Sequence, residues 1–233
     1  MLLAVDTALG ACSVALLEGD HVRAHLLERM ERGHAERLAP MVDESMKVAK
    51  ADFAQLTRLA VTTGPGTFTG QRVGLAFMRG LRLALQIPLV GVTTLEAMAT
   101  AAMAETGQSR AAAIHDARRG EAYLLLKQGD GVIHPPSVLP FADAVARIKT
   151  FGPCAIAGTG APHAHAMLGD GFELSRIRQP DALWVARLAL PMRPPEDPPG
   201  PLYLRAPDAK LPSPRTSSVS EASAVRPDGE SLV

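Results

Sequence analysis

The chain has 233 residues, with 24 Lys or Arg balanced by 24 Asp or Glu, so its formal charge at pH 7 is +0. At 47% hydrophobic and 21% charged residues it reads as a globular protein able to bury one large or two small cores. The charge balance excludes a global pull on nucleic acid, and the two cysteines, Cys12 and Cys154, exclude a disulfide framework or a C-x-x-C zinc site.

The opening "MLLAVDTALG" has no basic segment ahead of an apolar run and reads as a first strand and turn rather than a signal peptide. No run of 18 apolar residues offers a membrane span, so the cytoplasm is the expected location. "LLAV" (2–5), "CSVALLEGD" and "HVRAHLLER" predict three strands, the last two joined by a Gly19-Asp20 turn. The spacing of Ala35, Leu38, Val42, Ser45 and Ala49 predicts a helix over 35–50. Asp52 and Gln55 form a capping box before the strand "RLAVTTG". A helix over 69–86 should end ahead of Pro88, followed by the strand "LVGV" and a helix from Thr94 to Glu105.

"RAAAIHDARRGEAYLLLK" predicts two strands around a charged turn, "VLPFADAVARIK" a helix, "CAIAGTGA" a strand and glycine turn, and "DALWVARLAL" a last helix. His163 and His165 are expected in a loop. "PMRPPEDPPGP" reads as a stiff connector, and the Ser- and Pro-rich tail as disordered. The expectation is therefore an α/β protein with mixed sheets: a lobe over 1–105, a smaller lobe over 106–205 and a tail over 206–233.

The stretch "TGPGTFTGQRVG" (63–74) joins a predicted strand to a predicted helix. It is neither a Walker loop, because Gln71-Arg72 stand where Lys and Ser/Thr are needed, nor G-x-G-x-x-G, because Thr69 takes the last glycine position. Two readings stay open: Gly64 and Gly66 present backbone N–H groups to an anion, or the glycines allow close packing, with Gly70 and Gly74 one turn apart. Asp6 and Thr7 at the first turn, and Arg118 and Arg119 in the second charged turn, are further candidates for a nucleotide or anion loop. "HAERL" places Leu38 where a second chelating histidine would share a face with His34, so no metal site is expected there.

Taken together, "LLAVDTALGACSVALL", "HAERLAPMVDE", "TTGPGTFTGQRVGLAFMRGLRLALQIPLVGVTTLEAMA", "DARRGEAYLLL" and "LYLRAPDAK" resemble the TsaB (YeaZ) family. The resemblance covers most of residues 1–127 and is weak from about 128 to 200. It implies an actin/Hsp70-like (ASKHA) fold of two related lobes, the second reduced. It implies a non-catalytic subunit that binds and enables TsaD, with TsaE, in transferring threonylcarbamoyl to N6 of adenosine 37 of tRNA. Self-association without TsaD, tRNA contact only through the complex, no intrinsic cofactor, and ATP or ADP at a subunit interface belong to the same expectation. The pairing surface is expected on the two helices 34–50 and 69–86, at His34, Leu38, Met41, Val42, Gly70, Val73, Gly74, Phe77 and Leu81. The alternatives are a free-standing ATPase or small-molecule kinase of this fold, a peptidase, and a direct tRNA-binding module.

Overall fold

A computed structural model describes residues 1–205. β1 (Leu2–Asp6), β2 (Ala11–Glu18) and β3 (His21–Arg29) form an antiparallel meander, followed by α1 (His34–Ala49), β4 (Arg58–Thr62), α2 (Phe68–Leu85), β5 (Leu89–Val92) and α3 (Thr94–Thr106). The same series then recurs: a meander of β6 (Arg110–Arg118), β7 (Glu121–Gln128) and β8 (Gly131–Pro140), then α4 (Phe141–Phe151), β9 (Ala155–Ala157), α5 (Ala161–Leu168), β10 (Glu173–Leu174) and α6 (Ala182–Ala189). The two sheets have matching orders, β3-β2-β1-β4-β5 and β8-β7-β6-β9-β10. In each, the strands after the meander run parallel to its first strand. This is the two-lobed actin/Hsp70-like fold, with a second lobe whose β9 and β10 shrink to three and two residues.

β1 is apolar at consecutive positions because both its faces are covered. Leu3 and Val5 pack under α1 and α2 with Leu38, Met41, Leu75 and Met78. Leu2 and Ala4 pack on the other side with Ala182, Val185, Ala186 and Ala189 of α6. The lobes thus exchange helices: α6 covers the first sheet, while Leu95, Met98, Ala99 and Ala102 of α3 cover Ala111, Ala113 and Leu125 of the second. Alanines on both sides of these contacts let the helices lie close to the strands. Arg58 fixes the end of α6 by donating to the carbonyls of Ala189, Leu190 and Met192 at 2.8, 2.6 and 3.0 Å.

The capping box forms as read: Asp52 accepts from Ala54 N–H and Gln55 accepts from Asp52 N–H, both at 2.8 Å. Two expectations are corrected. Val138, Leu139 and Pro140 finish β8 rather than start a helix. Pro135 and Pro136 hid this strand, and they are tolerated because β8 is an edge. His163 and His165 sit on α5, not in a loop; His163 packs edge-on to Phe141 and His165 bonds the Phe172 carbonyl at 3.0 Å. The expected tail over 206–233 lies outside the described residues.

Where α3 crosses onto the second sheet, Lys127 of β7 pairs with Glu96 at 3.2 Å, with side chains 3% and 15% exposed. Lys127→Ala should cost about 3 kcal/mol by leaving Glu96 poorly solvated, while Lys127→Met with Glu96→Leu should recover most of it. Urea melts of the single and double variants check this.

Candidate functional site at the paired turns

The turn after β1 and the glycine loop before α2 meet inside the first lobe. Thr7 is 1% exposed. Its hydroxyl donates to Gly70 O at 2.7 Å and accepts from Gly74 N–H at 3.0 Å. One side chain from the strand end therefore bridges a carbonyl and an N–H four residues apart in the first turns of α2. Thr67 caps the helix by accepting from Gly70 N–H at 3.0 Å, and its own N–H reaches Ala8 O at 2.9 Å.

This closeness explains the glycines. A Cβ at Gly66 would lie 2.4 Å from Ala8 O, one at Gly70 would lie 2.3 Å from Thr7 O, and one at Gly74 would lie 2.7 Å from Thr7 Oγ1. Gly64, at φ 106°, precedes a cis proline, Pro65, and lies against Leu202 O. The packing reading of the loop holds. The N–H groups of Ala8 and Gly10 at this turn donate to Asp6 Oδ1 at 3.2 Å and Gln179 Oε1 at 2.9 Å. Ala8 and Leu9 themselves join the apolar cluster under α3. Two donors of the turn are thus engaged within the chain.

Asp6 is fully buried. Its Oδ1 also accepts from the Thr62 hydroxyl at 2.6 Å, while Oδ2 has no partner among the described residues. Burial outweighs these hydrogen bonds and pushes the carboxyl from 3.8 up to about 7. The second lobe repeats the construction: Gly158, at φ 101°, and Gly160 lie against Ile114 O, and Gly160 N–H donates to it at 3.1 Å. There Thr159 Oγ1 accepts from Asp116 N–H at 3.0 Å and bonds His115 Nδ1 at 3.2 Å. Burial lowers His115 to about 4, so its ring is neutral at pH 7. Sequence reading passed over His115, Thr159 and Gln179; the repeat of a glycine loop beside a hairpin turn, "AGTGAP" beside "DARRGE", was the signal available.

Arg118 and Arg119 occupy the tip of the β6–β7 hairpin at φ 63° and 57°, followed by Gly120 at 74°. Three consecutive left-handed residues make the turn, and Asp116 Oδ1 accepts from Arg118 N–H at 2.8 Å. His34 is nearly buried, with Nε2 on Leu9 O at 2.9 Å. It therefore ties α1 to the first turn.

The expected pairing surface is corrected in part. Leu38, Met41 and Val42 face their own sheet and are at most 1% exposed, and Gly70 and Gly74 face Thr7. These five residues are internal because α1 and α2 must cover β1, β2 and β4. Val73, Phe77 and Leu81 are half-buried at the margin of that core. The outer faces carry Val48 of α1 and Leu83 of α2, 62% and 73% exposed. Among the described residues no group of three or more His, Cys, Asp or Glu could hold a metal, and no helix is long and apolar enough to cross a membrane.

The family model described as TsaD, tRNA N6-adenosine threonylcarbamoyltransferase, matches residues 28–158. Over 135 residues the chain is 41% identical to the tRNA threonylcarbamoyladenosine biosynthesis protein TsaB of Escherichia coli, which covers 57% of this chain and 58% of that protein. The solved YeaZ from Pseudomonas aeruginosa superposes with a TM-score of 0.71 at 32% identity, covering 81% of this chain and 89% of that one. The chain belongs to the TsaB (YeaZ) family. The TsaB homologues of Escherichia coli and Haemophilus influenzae are matched over 58% and 51% of their length, so the chain spans about half of these relatives. An uncharacterized protein of Mycobacterium tuberculosis is 37% identical over 89% of this chain and 93% of that protein. The ethanolamine utilization protein EutJ of Carboxydothermus hydrogenoformans, at 11% identity and a TM-score of 0.52 over 80% of this chain and 88% of that one, shares the fold alone.

Two outcomes follow for this TsaB-family chain. Between about pH 4 and pH 7 the folded chain keeps an Asp6 proton that the unfolded chain has released, so stability should fall as pH rises through that window and level off above it. The loss is on the order of 4 kcal/mol at most. Asp6→Asn should flatten the slope and raise the melting temperature at pH 8; denaturant melts at pH 5 and pH 8 decide it, and an unchanged slope assigns it to another group. Gly74→Ala should cost about 1–3 kcal/mol by pressing on the Thr7 hydroxyl, and adding Thr7→Ala should recover part of that. A double-mutant cycle of melts measures the coupling.

Proposed function

We propose that this chain is the non-catalytic partner subunit of a tRNA threonylcarbamoyladenosine transferase. In this reading it acts by binding and enabling TsaD, together with TsaE. Membership of the TsaB family carries the reading, and two features of the chain support it. The His34 position has lost its chelating companion: Leu38 stands one turn on, and the His34 ring is engaged with Leu9 O. The Ala8 and Gly10 N–H groups of the first turn are engaged within the chain, which favours a supporting rather than a nucleotide-processing role. In this reading ATP or ADP is held at a subunit interface rather than in this turn, tRNA is met only through the complex, and the site of action is the cytoplasm.

α1 and α2 lie side by side on one face of the first sheet, which makes their outer side the proposed docking surface. Val48 and Leu83 are its exposed apolar points, joined by the small Ala76, Gly80 and Ala84 and by the margins of Val73, Phe77 and Leu81. Small residues let a partner helix approach, and the exposed side chains supply area to bury. Without TsaD the same face serves self-association.

Leu83→Asp and Val48→Asp should leave circular dichroism unchanged and weaken TsaD binding at least roughly tenfold each, as expected when a central apolar contact is replaced by a buried charge. Calorimetric titration with TsaD reads the affinity. Threonylcarbamoyl transfer to tRNA should require TsaD and be stimulated by this chain. Transfer by this chain alone, or unchanged affinity in both variants, overturns the reading.

A further inference from the structure

Past α6 the chain has no helix or strand over 193–205, yet it is held at every few residues. Arg82 donates to Glu196 O at 3.4 Å, and Arg79 donates to Pro199 O through Nε at 3.2 Å and Nη2 at 2.8 Å. Leu202 N–H donates to Thr63 O at 2.7 Å. Arg72 Nε donates to the Tyr203 hydroxyl at 2.8 Å, and its guanidinium lies 3.3 Å from the centre of the Phe68 ring, with Tyr203 and Phe68 stacked at 6.4 Å. Arg205 then pairs with Glu121. Read in order, the segment runs the length of α2 from its end to its start, touches the glycine loop, and crosses within three residues from Thr63 of the first lobe to Glu121 of the second.

The protein makes room for it. Gly91 is a glycine in the middle of β5, where a side chain would ordinarily be favoured. A Cβ there would lie 2.6 Å from Pro199 Cβ and 2.6 Å from Thr63 Cγ2. Gly64, left-handed, lies with its missing Cβ 3.2 Å from Leu202 O. Three arginines of α2, at 72, 79 and 82, point to the segment and engage it largely through its backbone carbonyls and one phenol. Prolines free carbonyls from internal pairing and hold the segment extended, so it suits this mode of attachment.

We propose that residues 193–205 are a strap that fastens the two lobes across the ends carrying both glycine loops, with the Arg205–Glu121 ion pair as its closing fastener. The α3 and α6 exchange joins the lobes through apolar burial, which salt does not weaken. The strap joins them through a part-exposed ion pair and hydrogen bonds to arginine, which salt and charge substitution do weaken. Its release would remove the Arg205 tie between the first lobe and the Glu121 end of the β6–β7 hairpin while leaving both cores intact. This inference is independent of the proposed subunit role.

Hydrogen–deuterium exchange of the full chain tests it, using Arg205→Glu and the charge swap Arg205→Glu with Glu121→Arg. The single variant should speed exchange both in 196–205 and in the hairpin 116–122 by roughly fivefold, the upper end for one part-exposed ion pair. The swap should restore both segments, and 1 M salt should reproduce the single variant in the unaltered chain. Unchanged exchange in both segments overturns the strap. Faster exchange in 196–205 alone also overturns it, because the segment would then belong to the first lobe only. Acceleration throughout the chain overturns the claim of a local fastener, and failure of the swap removes the ion pair from the role.

Discussion

The threonine at the end of the first strand sets the geometry of the first lobe. Its hydroxyl both gives and takes a hydrogen bond within the opening turns of α2, so the helix cannot slide or rotate against β1 without breaking one of them. That contact forces glycine at 70 and 74, because a single added carbon meets Thr7. With α2 fixed, the glycine loop must fold back on Ala8, which leaves Gly66 no room for a side chain and directs Thr67 N–H to the Ala8 carbonyl. The Asp6 carboxyl next door is buried as a consequence, with one oxygen paired and the other without a partner among the described residues.

The same sequence of causes operates in the second lobe with different residues. Ile114 supplies the carbonyl, Gly158 and Gly160 the close approach, and Thr159 the hydroxyl, now on the loop instead of the strand end. A shared topology thus places a glycine loop over the exit of the first strand twice. Here Ala8 and Leu9 fill the space under α3, and Gln179 from the second lobe takes the Gly10 N–H. The first turn has become part of the seam between lobes.

Most of the first lobe was legible in the sequence because its signals are local. The apolar run "LLAV", the Asp52–Gln55 box and Pro88 each mark an element by their own chemistry, and each boundary falls within a residue or two. β8 was illegible because two prolines argue against a strand unless its edge position is known, and edge position is a fact of assembly. The inward direction of Leu38, Met41 and Val42 was misread for a related reason. An apolar helix face announces that it is covered, and the pattern along one chain does not say by what. Asp6, Thr7, Gly64 and Gly66 read in the sequence as a possible anion loop, whereas the bridging role of Thr7 rests on a distance between residues 63 apart.

The helix α2 is apolar on more than one side for reasons that now separate. Leu75 and Met78 face the sheet; Arg72, Arg79 and Arg82 face the segment 193–205; Leu83 and its small neighbours face outward. A helix with three neighbours can carry mechanical information among them, because a shift against one is felt by the others. Thr7 couples α2 to β1, the arginines couple it to the segment 193–205, and Leu83 on the outer face stays exposed. Under the proposed docking, a partner that engages Leu83 acts on a helix whose start holds the glycine loop and whose flank holds the segment that reaches Glu121 of the second lobe. Under the proposed subunit role, that arrangement is a physical means of responding to, and constraining, a protein bound at the outer face.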